Sequence, residues 1–179
     1  MYQILKQIVK TGIKTEAAPQ ADETMRLDTQ RLQQEILDVF RGALAIRMVD
    51  AGSCNACELE IHAVNNAYYN IEGLGIKFVA SPRHADLLLV TGPVSRHMEI
   101  ALRRTYDATP EPKLVVAIGD CACDGGIFSP DNGGESYASC GKVSNVIPVD
   151  VVVSGCPPTP TAILQGILTA ITGTHAGQK

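Results

Sequence analysis

The chain has 179 residues and a mass of 19.0 kDa, enough for one domain with a true core. Apolar residues make up 45% and charged residues 19%, with a net charge of -4, which excludes a disordered chain and argues against a nucleic-acid groove. No apolar run reaches the roughly 18 residues that cross a bilayer.

Lys6, Lys10 and Lys14 interleave with apolar residues near the N-terminus, so no secretory leader is expected there. The expected compartment is the cytoplasm, where six cysteines do not ordinarily pair as disulfides. Metal or cluster ligation is the better use for some of them.

Residues 1–43 read as an N-terminal amphipathic helical extension. "YQILKQIVKTG" puts Ile4, Leu5, Ile8 and Val9 on one helical face with lysines opposite. A linker-like stretch, "TEAAPQADETM", follows. Then "RLDTQRLQQEILDVFRG" spaces Leu32, Ile36, Leu37 and Phe40 helically, with caps at Asp28 or Thr29 and a stop at Gly42. Such an arm either packs on its own domain or lies on a membrane surface or partner subunit.

Residues 44–179 read as a second unit. "ALAIRMV", "GIKFVAS", "ADLLLVTGPV", "KLVVAIGD" and "VDVVVSG" are strand runs; "ELEIHAVNNAYY", "RHMEIALRRTYDA" and "PTAILQGILTAIT" are helices. Near-continuous apolar strands alternating with helices predict a parallel sheet covered on both faces, an α/β flavodoxin-like doubly wound fold.

Three of these strands end at a cysteine. Cys54 and Cys57 follow the first, Cys121 follows "KLVVAIGD", and Cys156 follows "VDVVVSG". The carboxyl ends of parallel strands share one edge, where ligands bind in open α/β folds, so four thiols distant in sequence are expected to converge. Each lies among small residues, in "AGSCNAC", "GDCACDGG" and "SGCPP". Glycine lets backbone N–H groups approach a bulky ligand, and such donors tune a cuboidal iron–sulfur cluster.

Structural zinc also takes four thiolates, but usually from two C-x2-C knuckles, whereas Cys121 and Cys156 are single, with 34 residues between them. A thioredoxin-type pair would use Cys54 and Cys57 alone. Small buried thiols are the plainest alternative. One 4Fe–4S cluster accounts for all four.

The motifs "GSCNACELEI", "SPRHADLLLVTG", "GDCACDGGIF" and "IPVDVVVSGCPPTPTAIL" resemble the small subunit of energy-converting (group 4) NiFe hydrogenases, including formate hydrogenlyase, and its relative, the complex I 20-kDa subunit. The resemblance implies that Cys54, Cys57, Cys121 and Cys156 ligate a proximal 4Fe–4S cluster. Complex I subunits carry adjacent cysteines at the first motif; Cys54-x-x-Cys57 followed by Glu58 is similar to the hydrogenase branch. There, a Glu after the second cysteine is associated with proton passage, and Glu58 inherits that candidate role beside the plainer one of a carboxylate at a helix N-terminus.

Arg83 and His84, in "SPRHAD", sit beside an expected strand, and the resemblance to complex I subunits implies that the Arg lies near the cluster, where a guanidinium would raise the potential. The alternative is a surface ion pair with Asp86. Cys123 and Cys140 have no matched role and read as spare thiols.

No nickel site, "GxGxxG" or "GxxxxGK" is present in the sequence, so no catalysis by this chain alone is expected. The resemblance implies an electron relay from a ferredoxin-like iron–sulfur subunit to a large subunit with a NiFe centre, which reduces protons to hydrogen above integral membrane ion-pumping subunits. It implies a peripheral place on the cytoplasmic face of the membrane. The alternatives are a complex I-like quinone reductase subunit and, from another class, a zinc-stabilised interaction module.

Overall fold

The computed structural model describes residues 2–12, positions 27, 30, 31 and 34, residues 43–129 and residues 136–176. Five strands run β1 (Leu44–Asp50), β2 (Ile76–Phe78), β3 (Leu87–Thr91), β4 (Leu114–Ile118) and β5 (Val151–Val153). Helices run α1 (Tyr2–Thr11), α2 (Ala56–Val64), α3 (Arg96–Ala108), α4 (Asp120–Cys123) and α5 (Pro160–Ala176).

The strands form one parallel sheet in the order β2-β1-β3-β4-β5, the flavodoxin-like arrangement. β3 and β4 occupy inner positions and are buried at every residue, which explains why their sequences are apolar without alternation. Successive side chains still leave on opposite faces. Leu87 and Leu89 join a core with Ile46, Ile61, Ile163 and Ile167, under α2 and α5. Leu88 and Val90 join another with Leu102, Val115, Val143 and Ile147, under α3 and the loop after α4.

The strand register sets the level of each loop. β3 pairs with β1 from Ile46–Leu87 to Asp50–Thr91, and with β4 from Leu87–Leu114 to Thr91–Ile118. Asp50, Thr91 and Ile118 therefore end level with one another. The loops leaving them share an edge with the loop after Val153, which pairs with Ile118.

The helix expected at the N-terminus is present as α1. It buries no residue, and Ile4, Leu5, Ile8 and Val9 are all exposed. Most of the second amphipathic stretch, with Leu32, Ile36, Leu37, Phe40 and its caps, lies outside the described residues. "ELEIHAVNNAYY" is helical only to Val64, where Asn65 takes the role of C-cap. No helix among the described residues is long and apolar enough to cross a membrane.

Candidate metal centre

The loop after β1 is shaped by a side chain at the strand's last residue. Asp50 Oδ1 accepts the N–H groups of Gly52 and Ser53, each at 2.8 Å, an Asx turn that reverses the chain. Ser53 Oγ accepts the Asn55 N–H at 3.0 Å, and Asn55 takes a left-handed backbone, φ 72°, to start α2. Asn tolerates that conformation better than most residues. Cys54 is left exposed in the turn, and Cys57 is half-buried in the first turn of α2.

Cys121 stands in α4, one residue beyond the Asp120 N–H that bonds the Gly155 carbonyl at 3.0 Å. Cys156 follows Gly155 directly. These contacts bring the four sequence-predicted thiols to one edge. A Cβ built on Gly119 would lie 2.6 Å from Cys57 Sγ, so Cys57 reaches across to the end of β4. Only a residue without a Cβ leaves that thiol its place.

The thiols also act on one another. Burial pushes Cys57 up to about 12, with the charges of Glu58, Cys54, Cys121 and Cys156 adding to the effect in that order. Cys121 is raised too, first by burial and then by Cys156, Cys54 and Asp120. Without a metal, burial and mutual repulsion keep Cys57 and Cys121 as neutral thiols; a metal bound there would deprotonate the thiols that coordinate it.

Glu58 turns inward from the next position and is 4% exposed. The Thr91 hydroxyl donates to its Oε1, and Thr91 is itself fully buried at the end of β3. Glu58 Oε2 has no hydrogen-bond partner among the described residues. Glu58 is thus a carboxylate in the first turn of α2, as the plainer expectation has it, but a buried one and not a solvated one.

Arg83 and His84 are exposed in the turn Pro82–His84, which packs on α3. The chain enters β3 from there at its amino end, where Asp86 N–H bonds Ala45 O at 2.8 Å. The register thus puts both residues beside the start of β3, while the thiols gather at the level where it finishes. Asp86 Oδ2 accepts the Ala45 N–H at 2.9 Å; the ion pairs found among the described residues are Arg103–Glu99 and Lys113–Glu111. Cys123 donates toward Ala117 O at 3.7 Å, and Cys140 toward Glu99 Oε2 at 3.4 Å. Both thiols therefore have local partners of their own.

Sequence reasoning missed Asp50, Thr91 and Asp120. The first and last stand where a strand run meets a Gly-containing turn, in "VDAG" and "IGDC", a signal for carboxylates that hold backbone N–H groups. Thr91 is the polar end of an otherwise apolar run.

Four thiols gather at the carboxyl edge of a parallel sheet, a donor set for a metal or cluster, and the comparisons with known proteins give the class of protein. The family model for the "NADH ubiquinone oxidoreductase, 20 Kd subunit" matches residues 54–170. The chain belongs to that family. It is 46% identical over 123 residues to the probable membrane-bound hydrogenase subunit mbhJ of Pyrococcus furiosus, covering 69% of this chain and 71% of that protein. Formate hydrogenlyase subunit 7 of Escherichia coli is 39% identical over 140 residues, 78% of this chain and 53% of that one. An NADH-quinone oxidoreductase subunit of Desulfovibrio desulfuricans is 46% identical over 112 residues, 63% of this chain and 58% of that one. The chain thus spans little more than half the length of these last two.

Among solved structures, a chain of the membrane-bound sulfane sulfur reductase, an archaeal respiratory membrane complex, aligns with a TM-score of 0.64 at 30% identity, covering 86% of this chain and 77% of that one. The chain is an oxidoreductase subunit of the hydrogenase and complex I-like kind.

Proposed function

We propose that the chain is the electron-relay subunit of a membrane-bound energy-converting NiFe hydrogenase, holding one 4Fe–4S cluster on Cys54, Cys57, Cys121 and Cys156. The observation that carries the reading is the convergence of four thiols from three loops at one sheet edge, with Cys57 seated over Gly119 and the Cys121 and Cys156 loops bonded to each other. Among the described residues, no three His, Cys, Asp or Glu side chains are set to hold a single metal ion. A cubane asks for no such common point, because each cysteine binds a different iron. The donor set, with Gly119 leaving the Cys57 thiol its place among the others, fits that group.

When bound, the cluster supplies one-electron transfer. The protein's part is to present four thiols at one edge, two half-buried and two exposed, and to keep the buried Glu58 next to Cys57. The burial of Glu58 with one oxygen bonded by Thr91 and the other without a partner among the described residues supports the proton-path role that the resemblance gives it. Electrons would arrive from a ferredoxin-like subunit and leave to a large subunit with a NiFe centre, with ion-pumping subunits in the membrane below and this chain peripheral on the cytoplasmic face.

A second reading is a complex I-like quinone reductase subunit, supported by the 46% identity to an NADH-quinone oxidoreductase subunit.

The test is the iron, nickel, sulfide and zinc content of the native complex, isolated without oxygen through a tag on this chain. Iron and acid-labile sulfide with nickel support the first reading. Iron without nickel favours the quinone reductase, and zinc alone overturns both. In the same complex, Cys156→Ser should abolish the cluster signal; its full retention would refute the ligand set.

A further inference from the structure

The ends of β4 and β5 are joined by a contact that the cysteines do not account for. The parallel ladder stops at Ile118–Val153. Beyond it, Gly119 N–H bonds Val153 O at 2.8 Å and Asp120 N–H bonds Gly155 O at 3.0 Å. The Asp120 side chain then accepts the Gly155 N–H through Oδ1 at 2.7 Å. One residue therefore holds both polar backbone groups of another that lies 35 positions away.

Each clamped residue is followed at once by a thiol, Cys121 after Asp120 and Cys156 after Gly155. Gly155 has little freedom to be held otherwise. Its φ is +138°, and a Cβ there would meet Pro158 Cα at 2.6 Å, so the backbone conformation that presents Cys156 is reserved for glycine. Two other carboxylates near the site act differently. Asp50 binds Gly52 and Ser53, and Asp124 binds Gly126 at 2.7 Å, each within its own loop. Of these three, Asp120 alone ties one cysteine loop to another.

We propose that Asp120 is a positioning residue of the metal centre. Its acceptor oxygen locks the Cys121 loop to the Cys156 loop, so that both thiols are presented together before a metal arrives. The proposal rests on the reading of these cysteines as ligands. Its physical basis is that partners outside the ligand shell fix ligand orientation, and a metal bound by loosely held ligands leaves sooner.

Two variants in the intact complex test it. Asp120→Asn keeps an oxygen acceptor for the Gly155 N–H and removes the charge; Asp120→Ala removes both. With a ferrous chelator added anaerobically, Asp120→Ala should lose iron at least about tenfold faster than the parent, the scale of one lost charge-assisted hydrogen bond. Its reduced cluster should also show a changed electron paramagnetic resonance spectrum, because Cys156 is free to reorient. Asp120→Asn, which keeps a neutral hydrogen bond of about half the strength, should lose iron no more than about fivefold faster than the parent.

Parent-like iron retention in Asp120→Ala overturns the proposal. So does an Asn variant as labile as the Ala variant, since the acceptor would then not be what matters. If the Ala variant fails to assemble, the near-isosteric Asn variant decides: loss within about fivefold of the parent rate supports the acceptor, and faster loss refutes it. Failure of the ligand reading shows elsewhere, as full four-iron content in Cys156→Ser.

Discussion

Replacing Gly119 by Ala tests how Cys57 is held. Gly119 lies between β4 and α4 at φ +88°, and the new Cβ would fall 2.6 Å from Cys57 Sγ. Two costs follow. A side chain at positive φ costs about 1–2 kcal/mol. Relieving the contact by moving the thiol or the backbone costs about 1–3 kcal/mol, the range for overpacked sites. Together they amount to about 2–5 kcal/mol, and only the second part involves Cys57.

A double-mutant cycle separates them, with urea unfolding of the metal-free chain as the assay. In a Cys57→Ala background the thiol is gone, so Gly119→Ala should cost about 1–3 kcal/mol less than in the parent. Gly173→Ala in α5, where nothing lies within 4 Å, should instead stabilise by about 0.5–1 kcal/mol. An equal cost for Gly119→Ala in both backgrounds would show that Cys57 does not sit over Gly119, and the convergence of the thiols would lose its main geometric support.

Other expectations can be checked alongside. Thr91→Val would leave both oxygens of the buried Glu58 carboxylate without a donor, costing about 1–3 kcal/mol; an unchanged melting temperature refutes this, and Thr91→Ser should restore stability. On the proposed hydrogenase reading, Glu58→Gln keeps the acceptor for Thr91, so the complex should retain its cluster spectrum while hydrogen evolution falls; undiminished evolution would refute the proposed proton role of Glu58. Cys57 is raised from 9.0 to about 12 in the folded chain, so between these values the unfolded chain binds fewer protons. The metal-free chain should therefore lose stability as pH rises through this window, with the contribution intact below about pH 9. Urea midpoints from about pH 8 upward report it, and Cys57→Ala should flatten the slope. Finally, Cys123→Ser and Cys140→Ser should keep the parent iron content, since both thiols are turned to local partners; loss of iron in either would reopen the ligand assignment.

Much of the molecule can be read from residue order because its causes are local. The apolar runs of β3 and β4, the helical period of Arg96–Ala108 and the cysteines placed just after strands are patterns within a few neighbouring residues. Parallel strands bring those cysteines to one edge whatever their order. The clamp between Asp120 and Gly155, the Thr91 hydroxyl on Glu58 and the seat of Cys57 on Gly119 are of another kind. They join residues 35, 33 and 62 positions apart, and each depends on which strands are neighbours and on their register. The level of Arg83 and His84 along the sheet was hidden for the same reason, since a motif's nearness in sequence to a strand does not say which end of the strand it meets. Local pattern determined the elements and the chemistry they carry. The strand order β2-β1-β3-β4-β5 decided which groups touch, because contacts across a sheet are made between strands and not along the chain.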